Sequence, residues 1–237
     1  YFSNESNKYL NDSVNWPKDV SNKLRDIDIF VNVMKPYDYL DELISAVITE
    51  NIILAEKISK KILLTDPNNQ EAKLLMMVKS INSNNDQELE SLRFDKNNQK
   101  NDLFEFIFFL NEKIKSNKDI SNSFLEIVRS SYTKQSTNNS QNYNFLLFYT
   151  SLAALVNEKN YEAIFIKGQL LQMIDDYFFA ETTYQKIPEE SDYFIDAQRN
   201  IAFNYSQENG FDNVENKIKV IVKNNNEDYE ITKILAD

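Results

Sequence analysis

Cysteine and histidine are both absent from this 237-residue chain. Their absence removes the thiol nucleophile, the disulfide, the thiolate zinc site, the imidazole base and the imidazole metal ligand together. It leaves the compartment open between cytoplasm and periplasm. Glycine and proline are scarce, with 2 and 4 residues. Glycine supplies positive-φ turns and phosphate-cradling loops, so its scarcity argues against Rossmann, P-loop and all-β folds. No run approaches the ~20 apolar residues that span a bilayer, and no membrane insertion is expected within this segment. Basic residues are outnumbered, 26 Lys and Arg against 37 Asp and Glu, for a formal charge of −11. Such a surface repels phosphates and anionic lipids, so nucleic acid is not an expected partner.

What remains suits long helices joined by Asn- and Asp-rich turns. Apolar residues make up 42% of the chain, enough for a continuous core. Residues 1–16 read as a polar lead-in. Pro17 suits a first helical position, because its missing N–H would be unpaired there anyway. Val20, Leu24, Ile27, Phe30 and Met34 then recur on one helical stripe, and Leu40, Leu43, Ile44, Val47 and Ile48 form the next. Leu54, Ala55, Ile58 and Ile62 mark a further helix, closed by Thr65-Asp66-Pro67-Asn68-Asn69. Ala72 to Ile81 is helical, and residues 83–101 support at most two turns around Leu89 and Leu92. Leu103 to Leu110 is apolar almost all round and reads as a buried helix. Ile120 to Tyr132 and Tyr143 to Val156 are further helices, with a polar loop at 134–142. Residues 17–133 thus form divergent N-terminal helical repeats and 143–237 a regular C-terminal set.

From Tyr161 a fixed interval governs the text. Gly168 is answered by Ala202 and Ala236, Ala180 by Val214, and Tyr184 by Ile218, each 34 residues on. Helices are expected at 161–174, 177–187, 193–207 and 211–223, with a last one begun at Tyr229 and cut short. A two-helix unit cannot bury its apolar stripe alone, so it stacks on its neighbour. Small residues (Gly168, Ala180, Ala202, Ala236) belong where helices approach closely, and large ones (Tyr184, Ile218) fill the wedge between units. Phe104, Phe108, Phe148, Phe179 and Tyr184 are expected in the core.

The segment from Gly168 through Ala180 and Tyr184 to Pro188 resembles a tetratricopeptide unit, and Ala55 to Pro67 resembles the end of one. The run Tyr184 to Tyr193, with Ala197 to Ala202, is similar to bacterial tetratricopeptide proteins, alphaproteobacterial ones in particular. Lys167 stands where the family prefers Leu. The resemblance implies an all-α, right-handed superhelical solenoid of antiparallel helix pairs, about 12–13 helices in all. It implies a concave groove, lined by first helices, for a protein or peptide partner. Groove-facing residues would be Phe165, Gln169, Gln172 and Met173, then Asp196, Arg199, Asn200, Phe203 and Gln207. One subset of the family clamps acidic C-terminal peptides through Lys, Asn and Arg. Phe165 and Gln169 replace two of those residues and only Asn200 survives, which disfavours such a tail.

No enzymatic chemistry is expected. Acidic pairs at Asp175/Asp176, Glu189/Glu190 and Glu227/Asp228 fall in turns, where carboxylates cap helices or stay solvated. Asp66 to Glu71 and Asn224 to Asp228 lack EF-hand spacing, so neither metal nor cofactor is expected. The expectation is a non-enzymatic scaffold that binds a protein segment. The alternative is the recognition arm of a larger enzyme or envelope-assembly protein whose catalytic or anchoring part lies outside the segment. Self-association through Phe165 and Phe203 is a further route. Both ends, Tyr1 and Asp237, read as cuts, with any signal peptide lying outside.

Overall fold

The computed structural model describes residues 36–93, 101–134 and 141–209. Contacts divide the chain into two units, Tyr1–Glu42 and Leu43–Asp237. Of the first, the described residues are 36–42, the opening of a helix. The expected helices at 17–34, at 211–223 and from Tyr229 lie outside the described residues, as do Ile218 and Ala236.

Among the described residues are ten helices and one short hairpin. The helices are α1 (Pro36–Ile48), α2 (Ile52–Thr65), α3 (Gln70–Asn82), α4 (Asp86–Arg93) and α5 (Asp102–Phe108). After strands β1 (Phe109–Leu110) and β2 (Lys113–Ile114) come α6 (Asn117–Lys134), α7 (Gln141–Val156), α8 (Tyr161–Met173), α9 (Tyr177–Tyr184) and α10 (Phe194–Asn209). The described chain is therefore all-α in class.

Two kinds of turn join the helices. In the first, a non-glycine residue takes left-handed backbone: Glu50 (φ 60°), Asn84 (φ 52°) or Asp175 (φ 61°). Paired backbone bonds close each helix behind it. Glu50 N–H donates to Val47 O (3.1 Å) and Asn51 N–H to Ala46 O (2.8 Å). The same pairs recur from Asn84 and Asn85 to Ile81 and Ser80, and from Asp175 and Asp176 to Gln172 and Leu171. This is the Schellman closure that glycine usually serves, so the scarcity of glycine is met by Glu, Asn and Asp. The residue that follows caps the next helix: Asn51 accepts from Leu54 N–H, Asn85 from Glu88 N–H and Asp176 from Phe179 N–H.

The second kind spans four residues and opens on an Asx turn. Asp66 Oδ1 accepts from Asn68 N–H and Asn157 Oδ1 from Lys159 N–H, both at 3.2 Å. Each ends on an Asn cap: Asn69 accepts from Ala72 N–H and Asn160 from Ala163 N–H. A side-chain oxygen thus satisfies one of the orphan N–H groups of each helix start.

The Leu103–Leu110 run departs from the single helix expected of it. The helix stops at Phe108, and Phe109 and Leu110 pair with Ile114 and Lys113. Asn111 (φ 48°) and Glu112 (φ 67°) form the two-residue loop, both left-handed as a tight hairpin demands. Arg93 lies 4.0 Å from the Phe109 ring centroid and bonds Glu105 through two nitrogens, fixing α4 against α5 and β1.

Packing runs along the chain through α2, α3 and α4, and again from α5 to α10. In addition α3 packs on α7. Phe108, Phe124, Tyr149 and Phe148 make successive edge-to-face contacts at 5.7–5.9 Å in this core. The last carbonyls of α7 are satisfied from elsewhere: Ser121 Oγ donates to Ala153 O (2.7 Å), Asn82 to Leu155 O (3.0 Å) and Asn117 to Val156 O (3.2 Å).

Candidate functional site

The expected groove residues fall on α8 and α10, and Tyr184 organises the space between them. Its side chain is fully buried against Gly168. A Cβ at position 168 would stand 2.4 Å from Tyr184 Cε1, so only glycine admits the ring there. The Tyr184 hydroxyl donates to Gln172 Oε1 and accepts from Asn200 Nδ2 at 3.1 Å. Gln172 in turn donates to Asn204 Oδ1, linking α8 to α10 directly. Burial holds the Tyr184 phenol well above its ordinary value, so it stays neutral and able to donate.

The groove candidates therefore have different surroundings. Phe165 is half-buried, with its ring 5.7 Å from that of Tyr184 and 5.4 Å from that of Tyr193. Gln172 and Asn200 belong to the Tyr184 network, and Gln169 is half-buried. Arg199 donates to Asp196 at 2.9 Å on the same helix. Met173 is 47% exposed, Phe203 52%, and Asp196 is exposed as well. Gln207 is helical, and its side chain lies outside the described residues. Of the small residues, Ala180 and Ala202 are buried.

Phe179 departs from the core position expected of it. The buried side of α9 is Ala180, Thr183 and Tyr184. Phe178 and Phe179 instead form an exposed edge-to-face pair at 5.5 Å. The short helix has one inward stripe, which the smaller residues and Tyr184 fill.

A second arrangement escaped sequence reasoning. Lys167, on α8, is 2% exposed and donates to Glu50 Oε1 at 3.0 Å. Lys186, just beyond α9, donates to both oxygens of the same carboxylate at 2.5 and 2.6 Å. Burial pushes the Glu50 carboxyl up, but Lys167 and Lys186 together outweigh it and hold the group below its ordinary value. Burial pushes the Lys167 ammonium down, and Glu50 only partly restores it. These groups border a cavity of about 430 Å³ where the α1–α2 turn meets α7, α8 and α9. The signal in the text was Lys167 at a position of the apolar stripe, but its partner is 117 residues away.

Comparison with known proteins finds no matching family model, no matching curated protein and no matching solved structure.

Proposed function

We propose that this chain is a non-enzymatic, tetratricopeptide-like scaffold whose α8–α10 face holds a basic, apolar-bearing protein segment. The observation that carries the reading is the alternation of the two turn types. Schellman turns follow α1, α3 and α8, and Asx turns follow α2 and α7. The first and third helices start 34 residues apart, at Pro36 and Pro36's counterpart Gln70, as do the second and fourth, at Ile52 and Asp86. On this reading α1, α3, α5, α6, α8 and α10 are first helices, and α2, α4, α7 and α9 are second helices. The β1–β2 hairpin then stands in place of the second helix after α5.

The chemistry of the partner follows from the surface. Met173 and Phe203 offer apolar area on two helices that Gln172 and Asn204 tie together. Along residues 173–207, Asp175, Asp176, Glu181, Glu189, Glu190, Asp192 and Asp196 outnumber Lys186 and Arg199. A complementary segment carries Lys or Arg beside Leu or Phe. Fluorescence anisotropy with labelled peptides, one set Lys/Leu-rich and one Glu/Leu-rich, tests this. The Lys/Leu set should bind and weaken as salt rises, and Met173→Ala with Phe203→Ala should weaken it about tenfold. Equal affinity for both sets, or a dimer abolished by the same two substitutions, would replace the reading with simple apolar adhesion or self-association.

A further inference from the structure

We propose that the cavity bordered by Glu50, Ser151, Lys167 and Lys186 is a binding site for a small amphipathic monocarboxylate. Five of its eleven lining side chains are apolar, Val47, Ile52, Ala154, Leu155 and Ile164, and six are polar or charged. A cavity of about 430 Å³ that joins an apolar wall to convergent polar groups has the size and the two-sided chemistry to take a small amphipathic molecule. An ordinary packing defect would lack the polar groups, and a solvated surface cleft would not bury a lysine.

Three observations specify the head group. First, the ammonium of Lys167 has three N–H donors, and its hydrogen bond is the one to Glu50. Two cations, Lys167 and Lys186, share that one carboxylate, so a second carboxylate oxygen has donors to meet. Second, Ser151 stands in the wall on α7 with its Oγ buried and without a hydrogen-bond partner. A buried hydroxyl in that state gains from any acceptor that reaches it. Third, Glu50 takes the left-handed position that Asn84 and Asp175 take in the equivalent turns, and from there its carboxylate faces both lysines.

The same wall sets the charge of the ligand. Glu50 and Glu158 both border the cavity, and with Lys167 and Lys186 they balance to zero. That balance leaves no excess positive charge to hold a polyanion such as phosphate. A single carboxylate meets the remaining N–H donors of Lys167 and the Ser151 hydroxyl, and its hydrocarbon part lies against the apolar wall.

Isothermal titration calorimetry of the whole chain, with octanoate as the probe, tests the site. Octanoate should bind saturably at one site per chain, and octanol and inorganic phosphate should bind at least about tenfold more weakly. Lys167→Met keeps the bulk of the side chain and removes its charge. It should weaken octanoate about tenfold or more, and Ser151→Ala by a smaller factor. Lys186→Met, at a half-exposed position, gives the same reading if Lys167→Met does not fold. Absence of saturable octanoate binding, equal affinity for octanol, or unchanged affinity in both lysine variants would each overturn the proposal. Tighter binding of phosphate than of octanoate would overturn it as well. The peptide-binding face plays no part in this measurement, so failure here leaves the reading of α8–α10 intact.

Discussion

Lys167 is the residue whose surroundings depart furthest from what its neighbours in sequence suggest. A buried ammonium is tolerated because Glu50 meets it, and the two partners contribute unequally. Removing Glu50 leaves the buried charge uncompensated, whereas removing Lys167 leaves Glu50 paired with Lys186 at the surface. Glu50→Gln should therefore lower the unfolding free energy by about 2 kcal/mol, below the 3–5 of a fully buried pair because Glu50 is half exposed and screened. Lys167→Met should be close to neutral by the same argument. Urea denaturation of both variants checks the asymmetry, and a larger loss for Lys167→Met would contradict it. The pH dependence follows from the carboxyl. Its folded value is depressed, so the stability it contributes is complete above the unfolded value of 4.5 and is lost as pH falls through the folded value beneath it. Unfolding free energy measured across that acid range should fall more steeply with falling pH for the parent chain than for Glu50→Gln. Gly168 gives the other residue-scale test. A methyl there meets the Tyr184 ring at 2.4 Å, so Gly168→Ala should destabilise by about 1–3 kcal/mol despite the better helix propensity of alanine.

At the scale of elements, the helices are set by their ends as much as by their faces. Asn160 shows the two uses of one cap. Its Oδ1 accepts from Ala163 N–H, and its Nδ2 donates to Ser121 Oγ at 2.8 Å on α6. Asn160→Asp retains the cap and loses the tie, while Asn160→Ala loses both. The alanine variant should cost about 1 kcal/mol more than the aspartate in thermal unfolding; equal losses would mean that the cap contributes nothing. The left-handed closing residues make a complementary case. Asp175→Gly removes the Cβ penalty at φ 61° and should raise stability by about 0.5–1 kcal/mol. Helix extents were legible in the text because these signals are local. Asp66-Pro-Asn-Asn69 and Asp175-Asp176 read as turns and are turns. The run ending in Phe109-Leu110 was not legible: its residues suit a helix, and only Asn111 and Glu112 beyond it, with Arg93 over Phe109, set the hairpin.

At the scale of the whole molecule, the long-range contacts matter most. In a linear array each unit touches its sequence neighbours. Here α3 packs on α7, and Glu50 bonds Lys167 and Lys186 across 117 and 136 residues. Such contacts couple segments that a linear array would let open separately. Native-state hydrogen exchange should therefore show the central amides of α3, α7 and α8 opening at one shared free energy. Distinct values for α3 and α8 would show that the N-terminal helices are an independent unit.

The sequence alone determined the helical class, most helix boundaries and the close approach at Gly168, because periodicity, capping and the 34-residue interval are local properties of the chain. It offered Met173, Gln172, Asn200 and Phe203 alike as groove candidates, and could not tell the exposed Met173 and Phe203 from Gln172 and Asn200, which Tyr184 engages. The tertiary structure decided which stripe residues face inward on a helix as short as α9, where Phe179 lies outside. It also decided the Glu50–Lys167–Lys186 constellation and the cavity beside it. No local rule could pair Glu50 with Lys167: both the contact and the burial that makes it matter arise only when the α1–α2 turn comes to rest against α7, α8 and α9.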